Sequence, residues 1–200
     1  MTRLLVYNAA LVVFTAATIM TIAAINTPHW LSYSAGSQGG NTFEKHIGLH
    51  RECTTSAEPQ CQLYPRHAQC EGDERYFCSM WRSGGFLMSF AVIFEMATIV
   101  SFIVIMLSGK ATRIRGWPII TVLLVAVAAV EFSCMSLVAY LFDNDEQFGV
   151  PGWHLDTSWY LCTFSAIMCI VCAVALLLSA YILPQEDGYE LLDDNLEDVA

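Results

Sequence analysis

The sequence is poor in charge, and in positive charge above all. Only nine of its 200 residues are Lys or Arg, and charged residues together make up 14%. Nucleic-acid binding needs a basic face that neutralises phosphates, and no stretch here supplies one, so nucleic acid is excluded as a partner. Soluble domains carry about 25% charged residues, so this chain is not built to be wetted on all sides. Its six prolines leave the middle of each long apolar run uninterrupted, unlike the broken helices of many transporters. Nucleophile–base pairs, metal-ligand constellations and phosphate-cradling loops are missing too, so the expectation is no enzyme activity, no cofactor and no resident metal.

What is present is apolar: 56% hydrophobic residues and a mean hydropathy of +0.50. Four runs cover roughly Leu4–Ile25, Gly84–Leu107, Pro118–Phe142 and Trp159–Leu183. Each holds about twenty or more residues, enough to cross about 30 Å of hydrocarbon at about 1.5 Å per residue. The first run exceeds the about 7–15 apolar residues of a signal peptide and reads as a retained helix. Trp30, Trp81, Trp117, Trp153 and Trp159 fall at or just outside the run ends, where an indole half-buries its ring at headgroup level and keeps its N–H wet. Residues 1–183 thus read as one membrane domain in the lipid bilayer, with polar loops at about 26–83 and 143–157. Residues 184–200 form an acidic tail: seven of the 19 acids lie in 186–200, so much of the net charge of -10 belongs to the tail. Such a composition fits a solvated, disordered segment.

Loop charge gives an orientation. "GKATRIRG" carries Lys110, Arg113 and Arg115 without an acid, Arg3 precedes the first run, and the 143–157 loop has four acids and no base. Positive charge stays on the cytoplasmic side, which puts both termini there. Five basic residues in the first loop dilute this asymmetry, but its cysteines support it. Cys53, Cys61, Cys70 and Cys78 share that one loop, which suits disulfides in an oxidising space. Sequential pairing, Cys53–Cys61 and Cys70–Cys78, is preferred among the possible connectivities. A zinc reading would draw on His46, His50 and His67, but no pairing with suitably placed cysteines stands out. Cys134, Cys162, Cys169 and Cys172 lie within apolar runs and read as packed thiols.

Small residues say how the helices meet. Ala9–Ala10, Ala16–Ala17 and Ala23–Ala24 repeat every seven residues, forming a narrow stripe that lets backbones approach in lipid. Thr15, Thr18 and Thr21 can bond back to their own helix. The third run offers Ala126, Ala129, Ser133 and Ser136 at helical spacing. The expectation is a left-handed four-helix bundle, with a homodimer seam as the alternative. Glu95 and Glu131 fall at similar depths near mid-membrane. A charge there costs at least about 2.5–3.5 kcal/mol, so burial against protein is expected, with the carboxyls protonated or bonded to Ser and Thr hydroxyls. A structural hydrogen bond, or a docking point for another subunit, is favoured over an ion or proton site.

The first loop alternates β-like stretches, "WLSYS", "HIGLHREC" and "CQLY", with turns around Gly36, Gly39, Gly40 and Pro59. Strands closed by a disulfide would form a small antiparallel sheet on the outer face. The expected fold is therefore an all-α membrane protein, a left-handed four-transmembrane-helix bundle with a small disulfide-stapled extracellular β-sheet.

That layout resembles the claudin superfamily, which includes peripheral myelin proteins, calcium-channel gamma subunits and claudin-like proteins of fungal cell membranes. The family signature is a Trp, then Gly-Leu-Trp, two residues, Cys and a second Cys. Here Trp30 is followed by Gly48-Leu49-His50, two residues, Cys53, seven residues and Cys61, and Arg82 is similar to the arginine that closes the family's first loop. His50 stands where the family has Trp, a second cysteine pair is added, and the final "LEDVA" lacks the hydrophobic PDZ-binding end of tight-junction claudins. The resemblance implies a non-enzymatic integral membrane protein that organises membrane domains or cell-surface contacts. Its partner would be another membrane protein or itself, through the first extracellular loop. An auxiliary subunit modulating a channel or transporter is the alternative, and a transporter using Glu95 and Glu131 comes last. The resemblance and the topology imply the plasma membrane.

The tail adds a possible address. Gly188-Tyr189-Glu190-Leu191-Leu192 resembles a tyrosine-based sorting signal, and Asp187 to Leu192 an acidic dileucine signal. Both would be read by coat adaptors and would imply an endolysosomal or vacuolar membrane instead.

Overall fold

A computed structural model describes residues 2–35, 43–56, 58–66, 70–71, 75–108 and 110–182. Helix α1 is Thr2–Asn26; strands β1 (Leu31–Ala35), β2 (Phe43–Ile47), β3 (Arg51–Thr54) and β4 (Cys61–Leu63) follow. Helices α2 (Arg75–Leu107) and α3 (Lys110–Asn144) come next, then a 3₁₀ turn at Glu146–Phe148, strand β5 (Trp153–Leu155) and helix α4 (Thr157–Ile182). The tail residues Asp187, Gly188, Tyr189, Leu191 and Leu192 lie outside the described residues, as do Gly36, Gly39, Gly40 and His67.

Among the described residues, four helices are long and apolar enough to cross a membrane, with spans Leu4–Asn26, Arg75–Leu107, Arg115–Asn144 and Thr157–Ile182. By length and composition this is a multi-pass membrane protein. The outward faces are as greasy as the inward ones: Ile93, Val100, Val122 and Phe164 are each more than half exposed, an arrangement that water penalises and lipid does not. Helix α1 packs on α4 and α2, and α3 packs on α2 and α4. In each alanine pair of α1 the second member is buried, Ala10, Ala17 and Ala24, all 5% exposed or less. Its backbone is then close enough for side chains of α4 to reach it: the Ser165 hydroxyl oxygen lies 3.2 Å from the Ala17 carbonyl oxygen. The small residues of α3 behave otherwise. Ala129, Ser133 and Ser136 are exposed, so the buried face of that helix is made by Leu124, Val127, Glu131 and Cys134 instead.

The sheet is antiparallel in the order β4-β3-β2-β1-β5. It grows from the end of α1 and the start of α4. The Asp156 and Ser158 amides donate to the Trp30 and His29 carbonyls at 3.1 and 2.9 Å. Trp30, Leu31, Ile47 and Leu49 are all buried in the core beneath it.

Five further features differ from the sequence reading. Helix α2 begins at Arg75 rather than Gly84, because Phe77, Cys78 and Trp81 on its first turns are buried under the sheet. At 33 residues and about 1.5 Å per residue it stands well beyond a bilayer core. Most of the basic "GKATRIRG" segment is the start of α3, not a loop. "HIGLHREC" is not one strand but the end of β2, a turn and β3. The second loop contributes β5, which pairs with β1. Finally, Trp30 and Trp81 are fully buried in protein instead of lying half-wet at an interface. The Trp30 indole N–H donates to the Ala24 carbonyl at 2.8 Å, and Trp81 stacks on Phe77 at 5.6 Å and meets Tyr64 edge-on at 5.4 Å.

Candidate functional site

The residues singled out in the first loop meet where the sheet sits on the helices. The Gly48 amide donates to the Arg51 carbonyl at 2.7 Å, which closes the β2–β3 turn. A Cβ on Gly48 would stand 2.7 Å from the Pro28 Cα and 3.2 Å from the carbonyl oxygens of Thr27 and Arg51. All three are backbone atoms that cannot swing aside, so the turn presses directly on the chain leaving α1. Two residues further on, the Trp30 amide donates to the Ile47 carbonyl at 3.0 Å, making Trp30 a plug between α1 and β2. Leu49, 2% exposed, reaches towards Gly84 of α2. His50 lays its ring over Gly85, one turn beyond Arg82. Arg82 is exposed; with His50, Leu63, Tyr64, Pro65 and Arg66 it lines an open groove of about 530 Å³.

Two disulfides fix this surface. Cys53 and Cys61 face each other across β3 and β4 and are bonded. Cys70 is bonded to Cys78 on the first turn of α2. Glu52, which sequence reasoning passed over, is 2% exposed and ion-paired to Lys45 at 3.5 Å and to Arg66. The carboxylate is buried while Lys45 and Arg66 reach it from partly exposed positions, so two cations share the task of compensating one buried charge.

A second polar group lies at the sheet–α4 junction and was also missed. Asp156 precedes α4, and its Oδ1 accepts from the Thr157 amide at 2.6 Å and the Thr157 hydroxyl at 2.9 Å. Its Oδ2 accepts from the Ser32 hydroxyl and lies 3.1 Å from His29 Nδ1 and 3.9 Å from His46 Nδ1. Partial burial raises the Asp156 carboxyl, but the hydrogen bonds from Ser32, Thr157 and His29 outweigh it and lower it to about 2. The capping aspartate was detectable in "DTSW", an Asp just before an apolar run. His29 carries no such signal, since it meets Asp156 only through the fold.

Glu95 and Glu131 are both fully buried. Glu131 Oε1 accepts from Thr21 at 2.7 Å and from Ser165 at 3.0 Å, and the two hydroxyls lie 2.8 Å apart. One polar side chain from each of α1, α3 and α4 closes a ring. Thr21 lies near Glu95 as well, but its short contacts go to Glu131 and Ser165, and neither Glu95 oxygen has a hydrogen-bond partner among the described residues. Cys134, Cys162, Cys169 and Cys172 are free, buried thiols; Cys134 donates to the Gly84 carbonyl and Cys172 to that of Ala10.

No protein-family model matches the chain, and no curated protein matches it.

Proposed function

We propose that this is a non-enzymatic, claudin-like integral membrane protein that organises membrane domains or cell-surface contacts. In this reading the helices form a left-handed four-helix bundle in the plasma membrane, and the termini and tail are cytoplasmic. The sheet and both disulfides face the oxidising side, where the sheet meets a second copy or another membrane protein.

The observation that carries the reading is the junction of the sheet with the helices: Leu49, His50 and Arg82 meet against α2, Gly48 and Trp30 lock the β2–β3 turn to the end of α1, and the Cys53–Cys61 bond staples β3 to β4. The residues that resemble the claudin signature thus all lie in the sheet or at its junction with α1 and α2. A rigid, stapled sheet that tops the helices suits recognition better than chemistry. Glu131, tied down by Thr21 and Ser165, suits a structural knot better than a transport path.

The test mixes two cell populations expressing differently tagged copies and images the cell borders. Enrichment of both tags where unlike cells touch, lost in Cys53→Ser/Cys61→Ser but kept in Glu95→Gln, supports the proposal. Uniform wild-type distribution at the cell surface, with no self-association in mild detergent, defeats it. Co-purification of a stoichiometric channel subunit would move the role to an auxiliary one.

A further inference from the structure

We propose that His29, His46 and Asp156 form a binding site for a single divalent transition ion of the zinc class, which would clamp the sheet to the start of α4. The proposal is independent of the contact function above.

The donor atoms of the three residues lie within 4.8 Å of one another. His29 Nδ1 is 3.1 Å from Asp156 Oδ2, and His46 Nδ1 is 3.9 Å from the same oxygen. A tetrahedral zinc with bonds of about 2.0–2.1 Å sets its ligand atoms roughly 3.3 Å apart, so side-chain shifts well under 1 Å bring both of these distances to that spacing. Two imidazoles and one carboxylate are a borderline donor set that suits zinc and its neighbours; magnesium and calcium prefer oxygen throughout. A fourth position stays open to water on the solvent side, where His29 and His46 are 41% and 26% exposed.

The surroundings hold the ligands in the orientation that a metal needs. Asp156 Oδ1 is engaged by the Thr157 amide and hydroxyl, so the ion would take Oδ2 as its single-oxygen ligand, displacing the Ser32 hydroxyl that now donates to it. The His46 Nε2 lies 3.8 Å from Glu44 Oε2, too far for a hydrogen bond as it stands, and a small movement of the partly exposed Glu44 side chain would let it receive the N–H once Nδ1 gives its lone pair to the ion. This carboxylate–histidine–metal pattern fixes the tautomer and raises ligand basicity. The entering ion would displace the Ser32 hydroxyl from His46 Nδ1, now 2.7 Å away. His29 follows α1, His46 belongs to β2 and Asp156 caps α4. One ion would therefore join the end of α1, strand β2 and the start of α4.

The experiment uses the full-length protein in mild-detergent micelles, stripped by a chelator and titrated with Zn²⁺ against a chromogenic competitor. Co²⁺ serves as a spectroscopic probe. The expected result is one Zn²⁺ per chain, visible d–d bands with Co²⁺, and no competition from Mg²⁺ or Ca²⁺. His29→Ala and His46→Ala should each weaken binding by at least about 10–100-fold, the range that loss of outer-shell partners alone reaches. His50→Ala should leave it unchanged. Asp156→Ala also removes the cap of α4, so the two histidine variants carry the test, with circular dichroism verifying their fold. Failure of the wild-type protein to bind Zn²⁺, or wild-type affinity in His29→Ala and His46→Ala, would overturn the proposal.

Discussion

The imidazole of His50 lies directly on Gly85: a Cβ on that glycine would stand 2.9 Å from His50 Cε1. The Gly48 contact is equally tight but differs in kind, because its nearest neighbour is the backbone at Pro28. Gly85→Ala is met by an exposed ring that can turn away, and helix propensity favours Ala over Gly by about 0.8–1.0 kcal/mol. Gly48→Ala must move the chain leaving α1 and should cost about 1–3 kcal/mol, the range for overpacking. Thermal unfolding in micelles should show Gly48→Ala clearly lowered and Gly85→Ala near wild type. Equal losses would mean that the His50 contact is as rigid as the backbone one.

The α1 stripe makes a prediction one residue wide. Ala17 is fully buried and its carbonyl oxygen lies 3.2 Å from the Ser165 hydroxyl, whereas Ala16 is exposed. Ala17→Leu should destabilise by about 1–3 kcal/mol, while Ala16→Leu should be tolerated. Denaturation in mild detergent reads both; the reverse order would place the packed face of α1 elsewhere.

The Thr21–Ser165–Glu131 ring should behave as membrane hydrogen bonds do. Thr21→Val or Ser165→Ala should each cost about 0.6 kcal/mol and at most about 1.7. The double variant should lose less or more than the sum, because both hydroxyls share one carboxylate oxygen. Strict additivity in a double-mutant cycle would dissolve the ring into separate contacts.

For the disulfides, peptide mapping without reduction should recover Cys53 linked to Cys61 and Cys70 linked to Cys78. Cross-links between the two pairs would refute the β3–β4 staple. Losing Cys53–Cys61, which spans a sequence separation of 8, should cost about 2–3 kcal/mol on chain-entropy grounds.

The four helices were legible in the sequence because a span of about twenty apolar residues has few other uses. Their ends were not. The first turns of α2 contain Arg75, Ser79, Arg82 and Ser83, which dilute hydropathy, and they are helical because Phe77 and Trp81 pack beneath a sheet that hydropathy cannot see. Strand β5 is three residues long, too short for an alternating pattern, and exists because β1 offers it an edge. Gly48, Leu49 and the cysteines were read at their positions. The His29–Asp156 meeting, 127 residues apart, arises only when β1 and β5 pair and bring the ends of their strands side by side. Sequence also read the tryptophans as an interfacial belt, since their spacing near helix ends looks the same whether the ring faces headgroups or a protein core.

The most direct test of the account is the side of the membrane on which the sheet lies. An epitope inserted in the β3–β4 turn at Thr55–Ser56 should bind antibody on intact cells, while one at the C-terminus should need permeabilisation. Labelling of the C-terminal epitope on intact cells, with the sheet epitope hidden until permeabilisation, would contradict the proposed orientation and with it the role of the sheet as a contact surface.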